Sequence, residues 1–234
     1  MNPSDWEVTR YRRWDFEATE AGKYPLLMHY PYYLLYSSQV VKQADLVFAL
    51  YACGDQFSAE QKRRDFDYYE PITVRDSSLS ACIQAIVAAE VGHLDLAYDY
   101  FRETALVDLR DMAGNTADGL HLASLAGAWL VAVAGFGGLR DHGDTLAFSP
   151  RLPPRITRLC IRLLYRGRRL RIEVAPGTTR YEVLSGDPLE LLHHGDPVTV
   201  KPGDPAVLAC PDEAPPSPIE PPPEREPLRR GIGG

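Results

Sequence analysis

The chain has little that points to metal, thiol or membrane chemistry. Its 234 residues hold four cysteines, Cys53, Cys82, Cys160 and Cys210, all widely spaced. There is no CxxC pair and no His/Cys cluster with zinc spacing, so no metal is expected. The opening run MNPSDWEVTRYRRWDF is polar and charged, which excludes a signal peptide. The longest apolar stretch, Leu120 to Leu139, approaches a membrane span in length, but it contains His121, Ser124 and four glycines. With no second span beside it, a buried helix packed through small residues is expected, in a soluble cytoplasmic protein. The net charge of -7 disfavours general affinity for nucleic acid or acidic membrane, because like charges repel. Nine arginines against one glutamate lie between residues 151 and 180. Those on strand patterns alternate with apolar residues and mark a solvent face, with no aromatic platform for bases.

What is present divides near residue 140. Before it, apolar residues recur at helical spacing; after it, short alternating runs are separated by Gly and Pro. Residues 1–33 are expected to be irregular, since Pro25 and Pro31 break the aromatic run. Helices are expected over 34–53, over a short stretch after Ser58, over 78–91, 95–108 and 118–135. Ser58 with Gln61 three places on suits a capping box, and Gly92 marks a helix end. Leu96, Tyr100, Ala105 and Leu109 are the expected buried positions of the fourth helix. In RLRIEVAP, Leu170, Ile172 and Val174 alternate with charged residues, which predicts a half-buried strand. The preceding LCIRLLYR alternates too, and Gly167 suits a hairpin turn between them. Five or six such runs fit a β-sandwich over 145–210. The tail over 211–234 is rich in Pro and is expected to be extended or disordered.

Several polar groups interrupt these patterns. Lys42 and Gln43 fit either the solvent face of a helix or the hydrogen-bonding needs of pyranose hydroxyls. Asp76, Ser77 and Ser78 precede a helix. They suit ordinary capping, and free N–H groups with serine hydroxyls at such a start also suit an oxyanion. His121 shares a helix face with Ser124 through i,i+3 spacing. Near a helix N-terminus it is either a structural histidine or an anion ligand. Glu70 and Asp67 are the nearest carboxylates, but nothing in the sequence makes them an acid/base pair.

Three ordered segments carry a resemblance. YPLLMHYPYYLLYSSQVVKQADLVFALY (24–51), FDYYEPITVRDSSLSAC (66–82) and DGLHLASLAGAWLVAVAGFGG (118–138) resemble the C-terminal part of glycoside hydrolase family 65. This is the family of maltose, trehalose, kojibiose and nigerose phosphorylases. RLLYRGRRLRIEVAP resembles its small C-terminal β domain, and the similarity extends from about residue 24 to residue 200. The resemblance implies a multidomain α+β chain: the second half of an (α/α)6 barrel over 34–144, then a small C-terminal β-sandwich. It implies reversible, inverting phosphorolysis of an α-glucosidic bond to β-glucose 1-phosphate, with inorganic phosphate as co-substrate and no other cofactor. A family 65 hydrolase such as trehalase, or a noncatalytic complementing subunit, is the alternative. By residue, it implies sugar contacts at Lys42, Gln43 and Asp76, and phosphate contacts at Ser77, Ser78 and His121. Arg75 stands where related chains often have His. The general acid of the family lies upstream of these segments, so no catalytic residue is assigned here. The expected partners are an α-linked glucose disaccharide, phosphate, and an N-terminal half or homodimer partner that covers exposed apolar faces.

Overall fold

The computed structural model describes residues 11–112, 114–212 and 214–227. The greater part of the N-terminal run taken to exclude a signal peptide lies outside them. A helical region comes first and a β region follows. Among the described residues, five helices of eight residues or more build most of the first: α1 (Asp45–Ala52), α2 (Ala59–Tyr69), α3 (Ser80–Val91), α4 (Leu94–Leu106) and α5 (Leu122–Leu130). α5 runs on without a break as a π-helix over Val131–Phe136.

Sequence explains why α3 is central. Ala81, Ala85, Ile86, Val87, Ala88, Ala89 and Val91 are buried, as are the polar Ser80 and Gln84. A helix apolar on all sides must be surrounded, and its alanines let neighbours approach closely. Phe66 and Tyr69 of α2, Val47 and Leu50 of α1, and Ala97 and Tyr100 of α4 share its core. α5 approaches closely, since a Cβ built on Gly127 would stand 2.6 Å from Cys82 Cβ and 2.7 Å from its Sγ.

Ser58 caps α2 as its spacing predicts, its Oγ accepting from the Gln61 N–H at 3.1 Å. Three helical expectations need correction. The helix expected over 34–53 is broken: a short helix covers Tyr32–Tyr36, Ser38–Gln39 is extended, and α1 starts only at Asp45. The reason is pairing that local periodicity does not register. Val41 lies parallel to Thr73, donating to the Ile72 carbonyl at 2.8 Å and accepting from the Val74 N–H at 2.9 Å. Lys42 and Gln43 therefore sit on a bridged loop. α4 stops at Leu106, and Leu109 is 81% exposed instead of buried. α5 begins at Leu122, four residues later than its apolar run suggests.

The β region holds eight strands, more than the five or six expected: β1 (Leu139–Arg140), β2 (Leu146–Phe148), β3 (Leu159–Tyr165), β4 (Arg168–Ala175), β5 (Thr178–Ser185), β6 (Leu189–His193), β7 (Asp196–Val200) and β8 (Ala206–Ala209). They form two four-stranded sheets, ordered β8-β5-β4-β3 and β1-β2-β6-β7, with β2 and β6 parallel. One apolar core spans both sheets, including Phe148, Ile161, Ile172, Tyr181, Leu191 and Val200. The β3–β4 hairpin turns at Arg166 and Gly167, whose φ values of 47° and 80° give the left-handed turn that strand twist favours. Glu90 at the end of α3 ties the two regions together, meeting Lys62 at 2.6 Å and Arg140 of β1 at 2.7 Å. Burial would raise its pKa; Arg140 and Lys62 outweigh that and hold the carboxyl below its usual range. No helix among the described residues is long and apolar enough to cross a membrane.

The Gly127 contact gives a direct test of the α3–α5 packing. Gly127→Ala forces a methyl against Cys82 and is expected to destabilise the chain by about 1–3 kcal/mol, the usual cost of overpacking. Adding Cys82→Ala removes the obstructing sulfur but keeps the Cβ, so it should return only part of that loss. Urea denaturation of both variants checks it; equal losses in the single and double variants would show that the helices do not meet at this point.

Candidate functional site

The segment joining α2 to α3 is held from beneath by a buried polar network. Glu70 is fully buried at the end of α2. Its Oε1 accepts from the Tyr100 hydroxyl and its Oε2 accepts from Gln84 Nε2 at 2.8 Å. The guanidinium of Arg75 lies 4.7 Å from the centroid of the Tyr100 ring. Its Nη1 donates to both carboxylate oxygens of Glu103 on α4, at 2.7 and 2.8 Å. Burial pushes the Glu70 carboxyl above the usual range, against the lowering effects of Tyr100, Gln84 and Arg75. Arg75 takes a left-handed φ of 55°, uncommon for a residue with a side chain. Arg75 is itself buried and spends its charge on Glu103.

Above this network the loop faces a cleft of about 510 Å³. Asp76, Ser77 and Ser78 line it with Ser124 of α5, Thr104 of α4, and Glu224 and Arg225 of the C-terminal tail. Ser124 Oγ donates to the Ser78 carbonyl at 3.3 Å, so the head of α5 is docked onto the loop. Ser77 Oγ accepts from the Leu79 N–H at 3.4 Å, a local cap at the approach to α3. Ser78 is exposed to the cleft. Asp76 has both oxygens engaged: Oδ2 accepts from the Leu26 N–H at 3.2 Å, and Oδ1 meets Arg225 Nη2 at 3.3 Å. Burial raises its pKa despite the opposing effects of Arg225, the Leu26 N–H and Lys42.

The remaining expected site residues lie around this cleft. The Lys42 carbonyl accepts from the Asp76 N–H at 2.9 Å, which couples the two loops through backbone; the Lys42 side chain is exposed. Gln43 donates to Asp45 at 2.9 Å and lines an adjoining groove with Phe48, Leu79, Ile83 and Leu130. His121 stands immediately before α5, one turn from Ser124. Its backbone N–H donates to Asp108 Oδ2 at 2.9 Å, and its Nδ1 lies 2.6 Å from Asp108 Oδ1. Such a carboxylate fixes the ring's orientation and tautomer and leaves Nε2 as the other ring nitrogen for a ligand. The structure thus gathers Asp76, Ser77 and Ser78 in one cleft, ties Lys42 to it by backbone, and sets Gln43 and His121 on flanking elements.

Sequence reasoning missed Glu103, Thr104 and Arg225. Glu103 sits on the face of α4 that Tyr100 marks as inward, and that spacing was the available signal. Nothing in a Pro-rich tail signals Arg225. Among the described residues, the one group with metal-ligand chemistry is His193, His194 and Cys210 in the β region, with ligand atoms within 4.8 Å of one another. Both ring nitrogens of His193 are already engaged, with the Tyr181 hydroxyl at 2.8 Å and the Ala209 carbonyl at 3.0 Å, which marks it as a structural histidine.

The comparisons with known proteins divide the chain near the same place as the fold does. Residues 5–130 match the glycosyl hydrolase family 65 central catalytic domain, and residues 139–200 match the C-terminal domain of that family. An uncharacterized glycosyl hydrolase of Mycobacterium leprae is 50% identical over 226 residues, which is 95% of this chain and 28% of that protein. The alpha,alpha-trehalose phosphorylase of Geobacillus stearothermophilus is 40% identical over 195 residues, 83% of this chain and 26% of its own length. A solved structure from human microbiome assigned as a kojibiose phosphorylase superposes with a TM-score of 0.81 at 25% identity, over 88% of this chain and 30% of that one. The chain therefore spans under a third of the length of these relatives.

The buried Glu70 predicts a pH dependence of known sign. Because its folded pKa is raised, the native state holds the Glu70 proton more tightly than the unfolded chain does. Its contribution to stability is complete below the unfolded value and is lost as pH rises through the folded one. Glu70→Gln has no charge to bury, so its stability relative to the parent should improve as pH rises above the usual carboxylate range. Parallel stability curves for parent and variant would show that Glu70 ionises as freely in the fold as outside it.

Proposed function

The chain belongs to glycosyl hydrolase family 65, and on that footing we propose that it forms part of an inverting disaccharide phosphorylase. The reaction is attack of inorganic phosphate on an α-glucosidic bond, releasing β-glucose 1-phosphate and the acceptor sugar. The observation that carries this reading is the convergence of the Asp76–Ser77–Ser78 loop and the head of α5 on one cleft. The names of the relatives from Geobacillus stearothermophilus and Halothermothrix orenii, a trehalose and a kojibiose phosphorylase, support the same class.

In this reading phosphate is held by Ser77, Ser78 and His121. The Ser78 hydroxyl supplies an uncharged donor at the cleft. His121, held by Asp108 through Nδ1, leaves Nε2 as the ring nitrogen that donates to the anion when both ring nitrogens carry protons. Lys42, Gln43 and Asp76 face the glucose, Asp76 mainly by holding the loop, since its oxygens are spent on Leu26 and Arg225. Phosphate is already an anionic nucleophile, so the site needs an anion clamp where a hydrolase needs a carboxylate to activate water. Consistent with this, Glu103 is committed to Arg75, and Asp76 to Arg225. No general acid is assigned within the chain, and the acid is taken to come from the part of the family barrel that these residues do not include.

The helical region is read as part of an (α/α)6 barrel and the β region as its sandwich. Exposed apolar side chains support this, Leu79, Phe48, Leu122 and Trp129 being 48, 48, 72 and 58% exposed on α1, α5 and the approach to α3. Further helices, from an N-terminal partner segment or a second copy, would cover them. We place the protein in the cytoplasm, where phosphate is at hand.

The test is an assay with inorganic phosphate and a panel of α-linked glucose disaccharides. The chain alone is expected to bind phosphate without turnover. β-Glucose 1-phosphate should appear when the acid-bearing part of the barrel is supplied, and only with phosphate present. Glucose release independent of phosphate would instead make the protein a hydrolase. Ser78→Ala should weaken phosphate binding by about fivefold to thirtyfold, the loss of one hydrogen bond to a charged ligand.

A further inference from the structure

The tail after Cys210 returns to the candidate site. Ile219 packs on the helical core, and Pro221, Pro222 and Pro227 are buried. A turn closed by the Arg225 N–H on the Pro222 carbonyl, at 2.9 Å, presents the Arg225 side chain. Its guanidinium donates to three consecutive residues about 150 positions earlier in the chain: Nε to the Val74 carbonyl, Nη2 to the Arg75 carbonyl at 2.9 Å, and Nη2 to Asp76 Oδ1 at 3.3 Å. It also lies 4.9 Å from the centroid of the Tyr24 ring, whose hydroxyl reaches the Pro223 carbonyl at 3.4 Å.

These contacts answer a local need. The amides of Val74 and Asp76 are bound to the carbonyls of Val41 and Lys42. The left-handed turn at Arg75 carries the chain away from that ladder, and the carbonyls of Val74 and Arg75 need donors from elsewhere. A guanidinium has five N–H donors in a fixed plane and keeps its charge, so one side chain can satisfy both carbonyls and neutralise Asp76. Lysine has one compact ammonium and cannot span the same set.

We propose that Arg225 is a positioning residue for the 74–78 loop, clamping the backbone immediately before Ser77 and Ser78 so that the loop, bonded by Ser124 at the Ser78 carbonyl, presents their hydroxyls to the cleft. The proposal rests on the reading of this loop as the phosphate site, and it adds the C-terminal tail to that site. Glu224 and Glu226 line the same cleft and would repel an anion. A tail that merely plugged the cleft would therefore have the opposite effect on phosphate from one that organises it.

The experiment compares the full chain with Arg225→Ala, Arg225→Lys and Ser78→Ala, by amide hydrogen exchange, thermal melting and titration with inorganic phosphate. In Arg225→Ala, exchange at Val74 and Asp76 should quicken by about tenfold or more, while α3 amides and the melting temperature stay near those of the parent. Arg225→Lys should recover part of that protection through Asp76. Phosphate should bind about tenfold more weakly to Arg225→Ala, in line with the loss of charge-assisted hydrogen bonds that set the loop. Unchanged exchange at Val74 and Asp76 overturns the proposal, as does tighter phosphate binding in Arg225→Ala, which would make the tail a plug. If neither the parent nor Ser78→Ala binds phosphate, the phosphate reading fails while the exchange data still decide whether Arg225 holds the loop.

Discussion

The Arg75 guanidinium is enclosed between the Tyr100 ring and the Glu103 carboxylate, and the geometry of the whole site hangs on that enclosure. A buried cation must be paired, because leaving one unpaired in the interior costs several kcal/mol. Glu103 and Tyr100 come from α4, one helical turn apart. Satisfying Arg75 therefore fixes the loop between α2 and α3 against α4, and Glu70 fixes the same pair of helices from the other side of the Tyr100 hydroxyl. The left-handed turn at Arg75 follows from this arrangement: the side chain goes inward to its partners, and the next residues turn outward to the cleft.

The division of labour among charged groups follows from that constraint. Arg75, Glu103, Asp76 and Arg225 pair off within the protein. What the loop turns to the cleft is chiefly neutral, a serine hydroxyl on a backbone that Ser124 holds at the Ser78 carbonyl. His121, held by Asp108, stands on the flank, and Lys42 is exposed nearby. An anion entering such a place meets donors whose positions are set by buried ion pairs beneath them, so little reorganisation is needed when it arrives. Under the proposed reading, rigid support below and exposed donors above would hold phosphate in a fixed attack position.

Parts of this were legible from residue order. The cap at Ser58, the helix ending at Gly92, and the alternation through Leu170, Ile172 and Val174 each depend on neighbours a few positions apart, and each is found where the pattern places it. The VKQAD segment is different. Its apolar spacing suits a helix, but Val41 finds backbone partners at Ile72 and Val74, and that long-range pairing overrides a modest local preference. Leu109 likewise has the right residue type for a core, yet α4 ends before it and leaves it in solvent. The tail shows the reverse: its composition signals no attachment, yet Ile219, buried prolines and Arg225 supply one.

Residue order alone determined the change from helical to strand architecture near residue 140, the cap at Ser58 and the helix end at Gly92, because periodicity and short-range hydrogen bonding encode these locally; the loop bearing Asp76, Ser77 and Ser78 was marked only by a family resemblance. Tertiary structure alone decided which charges are spent on one another and which donors are left to face the cleft. Arg75 with Glu103, Asp76 with Arg225, and His121 with Asp108 are separated by 28, 149 and 13 residues. No local pattern specifies such partners, since an ion pair forms only where packing has already brought the two charges out of water and within reach.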